Sequence, residues 1–168
     1  DLEGAEDGIV FASGMSAITT TILALVQSGD HIVFTDDSYK KTLEFCNSFL
    51  KKFHIDCTIV PFGNYRLLEE AVKKNTRFIV SESPTNPYLN IFDLVQLRKI
   101  AVRHGILTLI DSTFSTPFNQ RPIEFGIDLV LQSATKYLAG HNDILGGAVL
   151  GRRDLIDKIR DLHKVIGG

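Results

Sequence analysis

Seven short apolar runs punctuate the chain, and most are apolar at every position instead of alternating in and out. They cover residues 9–12, 31–35, 58–62, 78–82, 107–111, 129–132 and 148–151. A strand that is apolar on both sides must be covered on both faces. The stretches between them carry helical spacing, at 15–27, 39–53, 66–75, 94–104 and finally 154–165. The fourth has the clearest signals. Val95, Leu97, Ile100, Ala101 and His104 fall near one face, Asp93 can cap the start and Gly105 follows the end. Strand–helix alternation predicts an α/β fold, a mostly parallel seven-stranded sheet with helices on both faces. The step from Gln132 to Ala148 contains no clear helix, which allows the seventh strand to run antiparallel. In such sheets ligands bind beyond the carboxyl ends of the strands.

The length, 168 residues, suits one domain spanning 1–168. With 18 Lys+Arg against 20 Asp+Glu, the net charge of −2 gives no basic field, so nucleic acid is not expected as the main partner. Cys46 and Cys57 match no zinc or redox spacing and read as two free thiols of a reducing compartment. The start is acidic (Asp1, Glu3, Glu6, Asp7), where a secretory leader would be basic. Residues 8–29 carry no charge, but the polar Ser13, Ser16, Thr19, Thr20, Thr21, Gln27 and Ser28 interrupt them. That stretch reads as a strand, a turn and a buried helix, not a membrane span.

Five strand ends present groups of chemical interest. Among ten lysines, Lys136 alone follows directly from a buried strand; the others lie in predicted helices or at their ends. Burial of an ammonium is costly, and a lysine left neutral is a nucleophile toward carbonyls. The plain alternative is a lysine reaching solvent from a strand end. Ser133 and Thr135 flank it, and on a turn both hydroxyls can donate to one anion. Ser13-Gly14-Met15-Ser16-Ala17 joins the first strand to its helix. Gly14 permits a tight turn, and the N–H groups of Met15 and Ser16 can cradle a phosphate. Ser13 as a simple helix cap explains the same residues. Asp111, ending an apolar strand, reads as a metal ligand, a pyridinium partner or a turn cap. Tyr39, after Asp36-Asp37-Ser38, can stack on a flat ligand or merely pack. Glu82-Ser83-Pro84-Thr85-Asn86-Pro87 forms a rigid turn that holds Asn86 at the fourth strand end. A metal site is not expected near His141 and Asp143, two residues apart and without further ligands nearby. Taken together, a phosphate cradle, a ring stacker, an acid and a nucleophilic lysine meet the needs of pyridoxal 5'-phosphate (PLP).

The run Ser133-Ala134-Thr135-Lys136-Tyr137-Leu138-Ala139-Gly140-His141-Asn142 closely resembles the lysine signature of the PLP enzymes of Cys/Met metabolism. These include cystathionine γ-synthase, the cystathionine lyases, methionine γ-lyase and the O-acyl-homoserine sulfhydrylases. The other four motifs fall in the family's order along essentially the whole chain. The resemblance implies a fold-type I large domain and an enzyme catalysing β/γ-elimination or γ-replacement on cystathionine, methionine or O-acyl-homoserine. It also implies a cytoplasmic homo-oligomer, a dimer or tetramer. By the same resemblance Lys136 carries the cofactor, Asp111 pairs with the pyridine nitrogen and Tyr39 stacks on the ring. Ser13, Gly14, Met15, Ser133 and Thr135 hold the phosphate, and Asn86 lies near the ring hydroxyl. Lys40-Lys41 replaces two glycines usual in the family, and Ser112 replaces an asparagine. The family's N-terminal arm and C-terminal domain fall outside the chain, which implies the central cofactor domain. The competing expectation is a truncated, non-catalytic module serving oligomer assembly or phosphate-ligand binding.

Overall fold

The computed structural model describes residues 2–168, so Asp1 of the acidic start lies outside the described residues. One seven-stranded sheet runs through it: β1 (Asp7–Phe11), β2 (His31–Thr35), β3 (Asp56–Val60), β4 (Thr76–Glu82), β5 (Leu107–Asp111), β6 (Leu129–Gln132) and β7 (Gly147–Gly151). The spatial order is β1-β7-β6-β5-β4-β2-β3. All ladders are parallel except those of β7, which runs against both β6 and β1. The missing crossover helix between residues 132 and 148 therefore has the geometric outcome expected of it. A short return can join only antiparallel neighbours.

Helices cover both faces. On one side α1 (Gly14–Leu25), α2 (Lys40–Glu44) with the turns after it, and α6 (Arg153–Ile166) bury Ile22, Cys46 and Ile156 against Phe34, Phe78 and Leu129. On the other side α3 (Tyr65–Glu70) and α4 (Leu94–His104) bury Leu68, Leu97 and Ile100 against Val33, Ile79 and Ile110. Adjacent residues of β2, Val33 and Phe34, thus serve opposite layers, as the pleat requires. A short α5 (Thr116–Asn119) follows β5. At α4 the side chain of Asp93 accepts the N–H of Gln96 at 3.0 Å, and Gly105 closes the helix in the left-handed region. Its buried face uses Leu94, whereas Val95 is exposed.

Several elements depart from the sequence expectation, three of them most clearly. The helix expected over 39–53 changes winding twice. After α2 it opens into a π turn (Phe45–Phe49) and then tightens to a 3-10 turn (Leu50–Phe53). Asn47 and Ser48 are poor helix formers, and the wider turn sets Phe45, Cys46 and Leu50 on the sheet together. The helix expected to reach residue 75 stops at Glu70, because the Thr76 hydroxyl takes the N–H of Lys73 at 2.7 Å. The third strand lies two residues early, at Asp56–Val60, since Pro61 has no N–H for a ladder.

Candidate active site

The carboxyl ends of β2, β4, β5 and β6 and the turn after β1 open onto one cleft of about 220 Å³. The residues that the resemblance assigns to the cofactor all line it: Ser13, Gly14 and Met15 from the first turn, Tyr39 after β2, Asn86 after β4, Asp111 at the end of β5, and Ser133, Thr135 and Lys136 after β6. Asp111 and Lys136, the pair expected to carry the chemistry, face the same cleft.

The cradle is built by close approach. A side chain on Gly14 would place a Cβ 2.9 Å from Ser133 Cβ and 3.0 Å from its Oγ, so only glycine lets these two turns touch. Ser13 Oγ accepts the N–H of Ser16 at 3.0 Å, the helix-cap role open to it from the sequence. That bond removes Ser16 from the phosphate donors anticipated there. The N–H groups of Gly14 and Met15, by contrast, meet no protein acceptor among the described residues. The two flanking hydroxyls also differ. Thr135 Oγ1 donates to the Gly146 carbonyl at 3.1 Å and accepts the Gly146 N–H at 3.0 Å, which closes the loop around the lysine. Ser133 Oγ makes no such bond and lines the cleft beside Gly14.

Asp111 is held by a residue that sequence reasoning passed over. Thr113 gives it two hydrogen bonds on Oδ1, from the N–H at 3.0 Å and the hydroxyl at 2.5 Å. The same Thr113 hydroxyl accepts the Ser133 N–H at 2.8 Å, so it couples the acid to the turn after β6. Burial pushes the Asp111 carboxyl above the usual carboxylate range, and the two Thr113 bonds oppose that rise. Glu82, Thr113, Phe114, Ile18, Thr42 and Leu145 also line the cleft. Glu82 and Thr113 had a usable signal, each being a polar residue at or just past a strand end. Phe114 packs edge-on against Tyr137, with ring centroids 5.9 Å apart.

Lys136 does not meet the expectation of a buried amine. It is solvent-exposed at the rim, because the turn after β6 carries it beyond the apolar part of the strand. Nor do Lys40 and Lys41 crowd the cavity. Both are exposed on α2, and Lys41 pairs with Glu44 at 2.7 Å. Ser112 is fully buried, and its hydroxyl bonds that of Ser115 at 2.5 Å, away from the cleft.

Comparison with known proteins agrees with this geometry. The family model described as Cys/Met metabolism PLP-dependent enzyme matches residues 1–168. The chain belongs to that family. It is 47% identical over 168 residues to the chloroplastic cystathionine gamma-synthase 1 of Arabidopsis thaliana, covering 99% of this chain and 30% of the relative. It is 41% identical over 169 residues to the cystathionine gamma-lyase of Bacillus subtilis, covering 100% of this chain and 44% of the relative. The solved structure of cystathionine gamma-lyase from Lactobacillus plantarum complexed with L-serine superposes with a TM-score of 0.93 at 40% identity, over 99% of this chain and 44% of that one. The family's cofactor is pyridoxal phosphate, and its members act in sulfur amino-acid metabolism. The chain spans less than half of the length of these relatives.

Proposed function

We propose that this chain is the cofactor domain of an enzyme that performs β/γ-elimination or γ-replacement on cystathionine, methionine or O-acyl-homoserine. One observation carries the reading: the cleft gathers Lys136, Asp111 and Tyr39 around a turn whose Gly14 and Met15 amides lack protein acceptors. A phosphorylated, flat, cationic ring suits that donor set. Gly14 and Met15 would donate their N–H groups to the phosphate, with the Ser133 hydroxyl beside them. Thr135 joins them only by giving up its bond to the Gly146 carbonyl. Tyr39 would cover one face of the ring, and Asn86 would lie near its hydroxyl. Asp111, anchored by Thr113, would keep the ring nitrogen protonated by holding a negative charge beside it. When bound, pyridoxal phosphate supplies an electron sink for a substrate carbanion. Lys136 would anchor the cofactor's aldehyde and then, freed by the incoming amino acid, accept the Cα proton at Nζ. Positioned proton transfer of this kind contributes about 10²–10⁴-fold to the rate.

Assembly as a dimer or tetramer belongs to the same proposal. The exposed apolar residues near the cleft, Phe118, Tyr137 and Leu145, are what a second subunit would cover. Two free thiols, Cys46 and Cys57, fit a reducing compartment such as the cytoplasm. Borohydride reduction of the full-length enzyme followed by peptide mapping tests the assignment. Label on Lys136 is the expected result, and label on any other lysine overturns it. Lys136→Ala should abolish elimination from all three substrates.

A further inference from the structure

Glu82 is the one acid of the cleft that the foregoing chemistry does not use. It ends β4, is 5% exposed, and lies directly across the parallel ladder from Asp111. In-register neighbours of a parallel sheet point to the same face, so the two carboxyl groups stand side by side. Glu82 Oε2 accepts the backbone N–H of Tyr39 at 2.6 Å. The Tyr39 carbonyl in turn accepts the N–H groups of Thr42 and Leu43 at the start of α2, at 2.9 and 3.2 Å. Both polar groups of that residue's backbone are therefore fixed. The preceding loop is tied down as well. Asp36 accepts the Phe62 N–H at 2.7 Å, Asp37 accepts the Asn90 amide at 2.8 Å, and Ser38 meets the Thr35 hydroxyl at 3.2 Å. Of the side chains that tie this segment, only Glu82 lines the cleft.

We propose that Glu82 is a positioning residue of this site, which clamps Tyr39 in place against the cofactor ring and concentrates the negative charge of the strand ends on Asp111. The proposal rests on the pyridoxal phosphate reading. Two neighbouring carboxyl groups, Glu82 buried and Asp111 partly so, do not both ionise cheaply. Asp111 has two donors from Thr113 to stabilise its anion, and Glu82 has a single one from Tyr39. The charged and titratable groups around Glu82 are Asp111 on β5, Asp37 in the loop after β2, and Lys136 and the Tyr39 phenol at the cleft. Desolvation first, and then the repulsion of Asp111, push the Glu82 carboxyl up to about 8. A neutral Glu82 still accepts the Tyr39 N–H through its carbonyl oxygen. It leaves the anion on Asp111, where a protonated ring nitrogen requires it.

The test compares Glu82→Gln and Glu82→Ala in the full-length enzyme, first without cofactor and then titrated with pyridoxal phosphate. Glu82→Ala should speed hydrogen exchange at the Tyr39 amide and weaken cofactor binding, each by about tenfold, the equivalent of one net hydrogen bond. It should also diminish the circular dichroism of the bound cofactor. Glu82→Gln offers the same uncharged acceptor and should stay within about threefold of wild type, well under one such bond. An unmoved Tyr39 amide in Glu82→Ala overturns the proposal, and so does a Glu82→Gln enzyme as impaired as Glu82→Ala. Should Glu82→Ala fail to fold, difference infrared of wild type against Glu82→Gln decides. A protonated-carboxyl band at pH 7 that vanishes in the variant supports the proposal, and its absence refutes it. Wild-type enzyme that takes up no pyridoxal phosphate sinks both readings. Uptake by wild type with the wrong variant pattern sinks this one alone.

Discussion

Asp128 and Glu82 are both buried carboxyl groups, and they keep opposite company. Asp128, 5% exposed just before β6, accepts the N–H and hydroxyl of Thr108 at 3.0 and 2.9 Å. It also faces the guanidinium groups of Arg98 and Arg152, each at 3.5 Å. Asp128→Ala leaves these donors unanswered and should cost about 3 kcal/mol in chemical denaturation. Glu82 faces acids instead. Its carboxyl ionises near 4.5 when unfolded and near 8 in the fold, so the folded state binds that proton more tightly. Stability should fall as pH rises from about 4.5 to about 8 and flatten above. Glu82→Gln should flatten this slope in a pH series of melting temperatures, leaving the share of Asp111. His31 runs the other way. Burial depresses its ring below the usual 6.5, with Thr58 and Thr76 hydroxyls at 2.8 Å on its two nitrogens. Its contribution to stability is lost as pH drops below about 6.5 and the unfolded chain takes up the proton.

Among the elements, β7 bears on the cleft at one remove, through its packing on the turn after β1. A Cβ at Gly147, its first residue, would fall 2.3 Å from the Ser13 carbonyl oxygen and 2.9 Å from the Gly14 nitrogen. Gly147→Ala must push the β1–α1 turn outward, and cofactor affinity measured by equilibrium dialysis should drop by more than about tenfold. Gly151, at the far end of the same strand, has the Asp128 carbonyl in the same relation, at 2.3 Å. Gly151→Ala should lose about 1–3 kcal/mol of stability yet keep its affinity for the cofactor. Much of this level was legible beforehand. Apolar runs marked the central strands, because they are covered on both faces. The caps of α4 were readable, because Asp93 and Gly105 act through local backbone geometry. The π turn at Phe45–Phe49 was not readable, since it answers to what the sheet offers that face and not to a local pattern. Nor was the exposure of Lys136, since strand burial says little about the turn that follows. Thr113 was missed for a related reason, because its bond to Ser133 joins two strand ends that are adjacent only once β5 and β6 pair.

Across the whole molecule, stability should grade outward from the sheet centre. β4, β5 and β6 are flanked on both edges and both faces, whereas β1 and β3 are edge strands with partly exposed side chains. Hydrogen exchange should therefore release amides of β1 and β3 through local openings, while β4, β5 and β6 exchange near the free energy of global unfolding. Equal protection in edge and centre would contradict this. The sheet order has a further result for how the protein is made. β1 has a single ladder partner, β7, and the pairing joins Asp7 to Gly151. A nascent chain leaving the ribosome therefore carries β1 unpaired until synthesis has passed β7. The turn that follows β1 is thus translated well before β7, the strand that packs against it.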